Sequence, residues 1–364
     1  MTRVLLFAPL YPPYSGGSPT FFSELANTLP DEYDVHILTA YHQDRPLFAK
    51  ENGSHVYRII PMKLDLPAPA RMILEGGVAF VAAMLIGLFR RIDIAHIHST
   101  SFSTPPIAIS MMLLSVPVIY DCQDLAVRSW IATLGNPVAH FSVGKRVDEI
   151  LVDAGVDEDS IIRTPITNPT YVSEYASRPV DSADDSFSVV FVGALRELKG
   201  VDILFNGFCE FAVEHPDATL TLVGDGPLRE QLDDSIRNTE VGSRIELLGN
   251  VPHRKALSEI ASADVLALLS KRETGPRVVF EAFAVGTPVV ATRVGAVPDV
   301  LDDEETGLLI ERSRESIIEA LATLYEDPQQ RQKMAENALD AKHGPTESEL
   351  INAVERGYSR AESV

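Results

Sequence analysis

Glu273-Thr-Gly-Pro-Arg-Val-Val-Phe-Glu281-Ala-Phe-Ala-Val-Gly-Thr-Pro-Val-Val-Ala-Thr292 is the stretch whose reading decides the fold. It is laid out as a loop, a helix, a tight turn and a β-branched strand. Glu281 opens an apolar helical turn (Ala282, Phe283, Ala284), and Gly286-Thr287-Pro288 turns the chain into Val289-Val290. Glu273 stands at the helix mouth. Eight positions at about 100° each come to roughly 800°, which puts the two carboxylates within about 80° of one face. With an irregular first turn, both reach the same cleft. Ionised carboxylates accept several hydrogen bonds and donate none, a character suited to sugar or ribose hydroxyls.

Working outward, a helix followed by a buried parallel-type strand implies an α/β domain, and 364 residues suffice for two. The first half alternates: strand Arg3–Ala8, helix Gly17–Leu29, strands 34–39 and 55–61, an apolar helix over 70–90, strand 92–98, helix 104–114 and strand 116–121. A polar, Pro-containing stretch at 163–171 and a Ser/Asp/Pro-rich run at 177–186 read as a linker. A second series restarts at Phe187, with strands at 187–193, 218–223, 244–248, 263–269 and 287–292, and the chain is helical after Pro328. Continuous apolar strands with helices between them predict parallel sheets covered on both faces. The expected architecture is α/β: two Rossmann-like doubly wound domains facing a central cleft, with a helical C-terminus. The domains are placed at 1–172 and 173–345, and the helix at about 346–364 packs back on the first. Open α/β sheets bind ligands at the carboxyl ends of their strands.

Composition sets limits. A hydrophobic share of 45% with 23% charged residues is ordinary for a globular protein, whereas the formal charge of −21 is not. It excludes nucleic acid, whose phosphates demand a basic face, and argues against a polybasic lipid contact. The surface reads as solvated and acidic. Cys122 and Cys209 form neither a metal site nor a disulfide framework, so a reducing compartment is expected. No charged n-region precedes Val4-Leu5-Leu6-Phe7, so no secretory signal is expected. The uncharged segment Gly77–Phe89 is too short to span a bilayer with certainty. It reads as a buried helix, with an in-plane membrane contact as the alternative.

Several loops carry chemistry. Tyr11 to Ser18 holds Gly16 and Gly17 at a helix mouth, where backbone N–H groups close on an anion. It lacks the G-x-G-x-x-G spacing of a nicotinamide site. After strand 187–193, Arg196 and Lys199 stand in a strand-to-helix loop placed to neutralise a diphosphate. Gly224-Asp225-Gly226-Pro227 reads first as a βα turn. His96 and His98 alternate along a buried strand, where packing is the ordinary role. Tyr11, Tyr14 and Trp130 read as packing before sugar stacking.

In this order, Gly16-Gly17, Asp93-Ile-Ala-His96-Ile-His98, Gly193…Lys199-Gly200, Gly224-Asp225-Gly226-Pro227 and Glu273…Glu281 with Gly286-Thr-Pro-Val-Val resemble the retaining nucleotide-sugar glycosyltransferases of family 4. This is the glycosyl transferases group 1 type, with the GT-B fold, and the resemblance covers nearly the whole chain. It implies transfer of a sugar from a nucleoside-diphosphate sugar to a hydroxyl of a glycan, glycolipid or polyprenyl-linked acceptor. The resemblance places Glu281 on the donor ribose and Glu273 beside the donor sugar and reacting centre. Backbone amides around Gly275, Pro276, Arg277 and Val278 would hold the sugar and distal phosphate, Lys199 the diphosphate, and Gly16 and Gly17 would close the cleft. His98 and Gln123 fall on the acceptor side. No cofactor is implied beyond the substrate, and no metal, since no Asp-x-Asp motif is positioned to hold one. The expected setting is cytoplasmic, with a weak peripheral contact at the inner membrane face as a further expectation.

Two departures stand out. Ala194 occupies the place where the family carries Arg, with Arg196 or Arg277 as replacements, and Gln123 stands where a His is usual. Gln123 can bond a hydroxyl but cannot take a proton. These departures leave a catalytically silent nucleotide-sugar-binding subunit as one alternative, and a sugar-nucleotide epimerase of the same two-domain architecture is a second.

Overall fold

The structure, a computed structural model, describes residues 1–14, 16–61, 66–167, 170–175, 186–340 and 346–364. The expected linker at 177–186 lies almost wholly outside the described residues. Two compact units form: residues 1–166 with 347–364, and residues 167–346.

Among the described residues the first unit holds eight strands: β1 (Thr2–Phe7), β2 (Tyr33–Ala40), β3 (Phe48–Glu51), β4 (Ser54–Ile60), β5 (Ile94–His98), β6 (Val118–Cys122), β7 (Ala139–Ser142) and β8 (Ile161–Arg163). Their order is β3-β4-β2-β1-β5-β6-β7-β8. All pairings are parallel except the hairpin β3–β4. That hairpin turns at Asn52-Gly53, both with positive φ, as a tight two-residue β-turn requires. β3, β7 and β8 escape the sequence reading because each is three or four residues long, too short to show a period.

One face of this sheet is covered by helix Gly17–Thr28 and by the C-terminal helix Glu347–Glu362. Leu350, Ala353, Val354 and Tyr358 of the latter join Val4, Leu6 and Phe141 in one apolar cluster. Helices Ala68–Arg90 and Thr104–Leu113 cover the other face through Ala79, Ala83, Ile86, Ile107 and Met111. The expectation of a buried helix over 70–90 is corrected here. Only one of its faces is covered, and Ile73, Val81, Leu88 and Phe89 lie exposed.

The second unit is a six-stranded parallel sheet: β9 (Phe187–Val192), β10 (Ala218–Val223), β11 (Ile245–Gly249), β12 (Val265–Leu268), β13 (Val289–Thr292) and β14 (Gly307–Ile310). The order is β11-β10-β9-β12-β13-β14. The chain winds outward from β9 to β11, then returns to the other side of β9 as β12. The strand order therefore reverses between β9 and β12, which is where doubly wound sheets open a crevice. Helix Val201–Glu214 seals one face with Leu204, Phe208 and Phe211, and helices His253–Ser262 and Arg277–Val285 seal the other with Leu257, Ile260 and Phe283.

Candidate active site

Every candidate residue of the second unit lies beyond the carboxyl end of a strand. The loops after β9 and β12 meet across the reversal point. Lys271 N–H donates to the Leu198 carbonyl at 2.8 Å. Gly200 sits at φ +69 with so little room that a Cβ would fall 2.0 Å from the Leu269 carbonyl oxygen. Only glycine permits that approach. Arg312 bonds both loops, from Nε to the Leu269 carbonyl at 3.1 Å and from Nη2 to the Glu197 carbonyl at 2.6 Å.

This packing brings Lys199 onto Glu273. Lys199 Nζ donates to Glu273 Oε1 at 2.6 Å, and Ser270 Oγ donates to the same oxygen at 2.5 Å. Glu273 is buried and Lys199 is partly exposed. Glu273 Oε2 carries no hydrogen bond among the described residues.

Glu281 shows the same asymmetry. The helix starts at Arg277, not at Glu281, so Glu281 lies within its second turn and Glu273 lies in the loop before it. The helical angle between the two glutamates therefore does not apply, and loop packing rather than helix geometry sets Glu273. Glu281 is buried; its Oε1 meets His253 Nε2 at 2.8 Å and lies 3.5 Å from Arg277 Nε. Its Oε2 carries no hydrogen bond among the described residues. His253 opens the helix after β11, following Val251-Pro252. Neither His253, Ser270 nor Arg312 is marked in the sequence, because each meets its partner through tertiary packing alone.

The other expected positions are distributed as follows. Arg277 N–H donates to the Gly275 carbonyl at 2.9 Å, so this amide is committed and leaves the set expected to hold sugar and phosphate. Pro276 has no N–H to give. The Gly275 and Val278 amides carry no hydrogen bond among the described residues. Arg196 is exposed in extended backbone and makes no ion pair among the described residues. Asp225 Oδ1 accepts from the Gly226 amide at 2.7 Å, the local turn bond of a βα loop. Among the described residues, no cluster of three His, Cys, Asp or Glu side chains could hold a metal.

In the first unit, strand order reverses between β1 and β5, and the candidates gather at that end of the sheet. Gly16, at φ +132, caps helix Gly17–Thr28, and both glycines are exposed. His98 ends β5 and is buried, and desolvation pushes its pKa below the ordinary histidine value, so the ring is neutral. Its Nδ1 lies 3.3 Å from the Thr100 amide. Gln123 Nε2 donates to Asp121 Oδ2 at 3.3 Å, an oxygen also met by His96 Nε2 at 3.1 Å. His96 Nδ1 lies 3.0 Å from the Tyr358 hydroxyl, so both its nitrogens are used within the core.

Two doubly wound α/β units in one chain define the GT-B class of fold. The whole chain superposes on sucrose-phosphate synthase of Thermosynechococcus elongatus with a TM-score of 0.78 at 16% identity, over 100% of both chains. It likewise superposes on HepE of Anabaena, solved with UDP and glucose, with a TM-score of 0.75 at 19% identity over 99% of this chain and 100% of that one. Residues 174–340, within the second unit, match the family described as glycosyl transferases group 1. A D-inositol 3-phosphate glycosyltransferase of Corynebacterium aurimucosum is 30% identical over 278 residues, 74% of this chain and 64% of that protein. One subunit of the human phosphatidylinositol N-acetylglucosaminyltransferase is 25% identical over 334 residues, 88% of this chain and 67% of that protein. Against a second D-inositol 3-phosphate glycosyltransferase, from Corynebacterium kroppenstedtii, the chain spans only 50% of the relative's length.

Proposed function

We propose that the protein is a retaining glycosyltransferase that moves a sugar from a nucleoside-diphosphate sugar to a hydroxyl of a glycan, glycolipid or polyprenyl-linked acceptor, working in the cytoplasm. One observation carries the reading. Two buried glutamates at the carboxyl edge of the second sheet each have one oxygen fixed by neighbours and the other uncommitted among the described residues. A carboxylate held in this way is a preorganised acceptor for hydroxyls.

In this reading Glu281 takes the ribose hydroxyls. Glu273 lies beside the donor sugar and orients Lys199 toward the diphosphate. As the bond from the anomeric carbon to the phosphate oxygen breaks, negative charge grows on the leaving diphosphate. Fixed donors then stabilise the transition state more than the ground state, namely Lys199 and the Gly275 and Val278 amides. The acceptor hydroxyl attacks the same face of the anomeric carbon, and its proton passes to the departing phosphate oxygen. Gln123 has no basic group to take that proton, and burial makes the His98 imidazole a weaker base than an ordinary histidine. No metal enters the scheme.

Calorimetry with UDP-, GDP- and ADP-sugars, followed by a transfer assay and determination of the product's anomeric configuration by proton NMR, tests the reading. Tight binding with an α-configured product from an α-configured donor is expected. Binding of every effective donor without transfer to any lipid or glycan acceptor would instead identify a silent binding protein.

A further inference from the structure

Helix Ala68–Arg90 has 23 residues, and its most apolar 18-residue stretch has a mean hydropathy of 2.2, yet only a third of that stretch is buried. Its covered face (Glu75, Ala79, Ala82, Ala83, Ile86) packs into the first unit. At about 100° per residue, Leu74, Gly77, Val81, Leu85 and Leu88 fall in one stripe roughly opposite that face, about 21 Å long. These positions are exposed, and the flanking Ile73 and Phe89 are 76% and 75% exposed. The packed neighbour, helix Thr104–Leu113, adds exposed Ile109, Met112 and Leu113. A helix that is apolar all round is stable only where both faces leave water.

The charges select the occupant. The only acid on the helix, Glu75, is buried and accepts from Ser103 Oγ at 2.8 Å. The cations, Arg71 and Arg90, lie near the two ends, and Arg91 follows; none makes an ion pair among the described residues. In a chain of net charge −21, this apolar stripe is framed by arginine alone. That is the arrangement of an in-plane helix, with its apolar face among acyl chains and its arginines at headgroup level. A span across the bilayer is excluded by the packing, since β4 and β5 on either side of the helix belong to one sheet and the covered face forms part of its core. A second copy is the poorer fit. A two-fold contact would set the arginine ends of one stripe against those of the other.

We infer that the exposed face of helix Ala68–Arg90 is a docking surface for an anionic lipid bilayer. The inference is independent of the donor-site reading. It is tested by cosedimenting the full chain with vesicles of phosphatidylcholine and with an equal mixture of phosphatidylcholine and phosphatidylglycerol. Binding to the mixed vesicles is expected, weakening with added salt. The pair R90E/R91E should lose roughly fivefold or more per arginine on the mixed vesicles. The pair V81E/L85E should lose at least about tenfold on both vesicles, with unchanged circular dichroism and thermal midpoint. Failure of the wild-type chain to bind mixed vesicles overturns the inference, as does equal binding by folded V81E/L85E. A wild-type dimer in light scattering that V81E/L85E converts to monomer, without vesicle binding by either, would assign the face to a second copy and also overturn it.

Discussion

Glu281→Gln is the sharpest perturbation of the proposed donor site. The substitution keeps the side chain's volume and an oxygen to accept from His253, now 2.8 Å from Oε1. It removes the charge and turns one acceptor into a donor. A hydrogen bond to an ionised group contributes about 1.5–3 kcal/mol, against about 0.5–1.5 for a neutral one. Losing the uncommitted Oε2 as an acceptor for ribose should therefore cost about 1.5–3 kcal/mol, or roughly 10- to 150-fold in the dissociation constant of the nucleoside diphosphate. Weakening the bond to His253 should lower the thermal midpoint by only about 2–4 °C for a unit of this size. Calorimetry is run with the nucleotide and its 2′,3′-dideoxy analogue against both proteins. The analogue should bind the wild-type protein more weakly and should not distinguish it from Glu281→Gln, because the lost partner is the same. Undiminished nucleotide binding by the variant would refute the assignment, and so would an equal loss for the analogue, which would place the effect in the fold rather than on the ribose.

Lys199→Met breaks the 2.6 Å contact with Glu273 and removes the proposed diphosphate cation; turnover should fall at least about a hundredfold in kcat, read in a steady-state transfer assay. Gly295→Ala should destabilise by about 2 kcal/mol or more in urea unfolding, since φ is +55 and the new Cβ would fall 1.7 Å from the Glu273 carbonyl oxygen. Gly17→Ala, with nothing within 4 Å of the new atom, should leave stability near wild type while it reports on the exposed helix mouth. Burial holds the imidazoles of His36, His98 and His140 below the ordinary histidine pKa. They stay neutral in the fold and protonate near pH 6.5 when unfolded, so the unfolded chain binds more protons below that pH. Stability is then full above about pH 6.5 and declines as pH falls toward the folded values, by up to about 1.4 kcal/mol per unit for each histidine. Urea midpoints at about pH 7.5 and 5.5 should differ in this direction, and less so in His98→Gln.

The sequence by itself determined the alternation. Phe187-Ser-Val-Val-Phe-Val and Val289-Val290 can be little other than strands buried on both faces, and Gly286 after an apolar helix marks its end, where φ is indeed +79. Runs of β-branched residues and helix-stop signals are local, so they survive without knowledge of neighbours. The short strands β7, β8 and β14 carried no such run, and their place was set by pairing with the strands beside them. The same division holds in the site. The two glutamates, Lys199 and the glycines were legible from their spacing. That Glu273 answers to Ser270 and Lys199, and Glu281 to His253, was decided by the crossing of loops from different strands. The apolar composition of residues 68–90 was plain to read, and the burial of one face alone was not. Periodicity says how apolar a helix is on each side, whereas only the packed structure says which side has already found a partner.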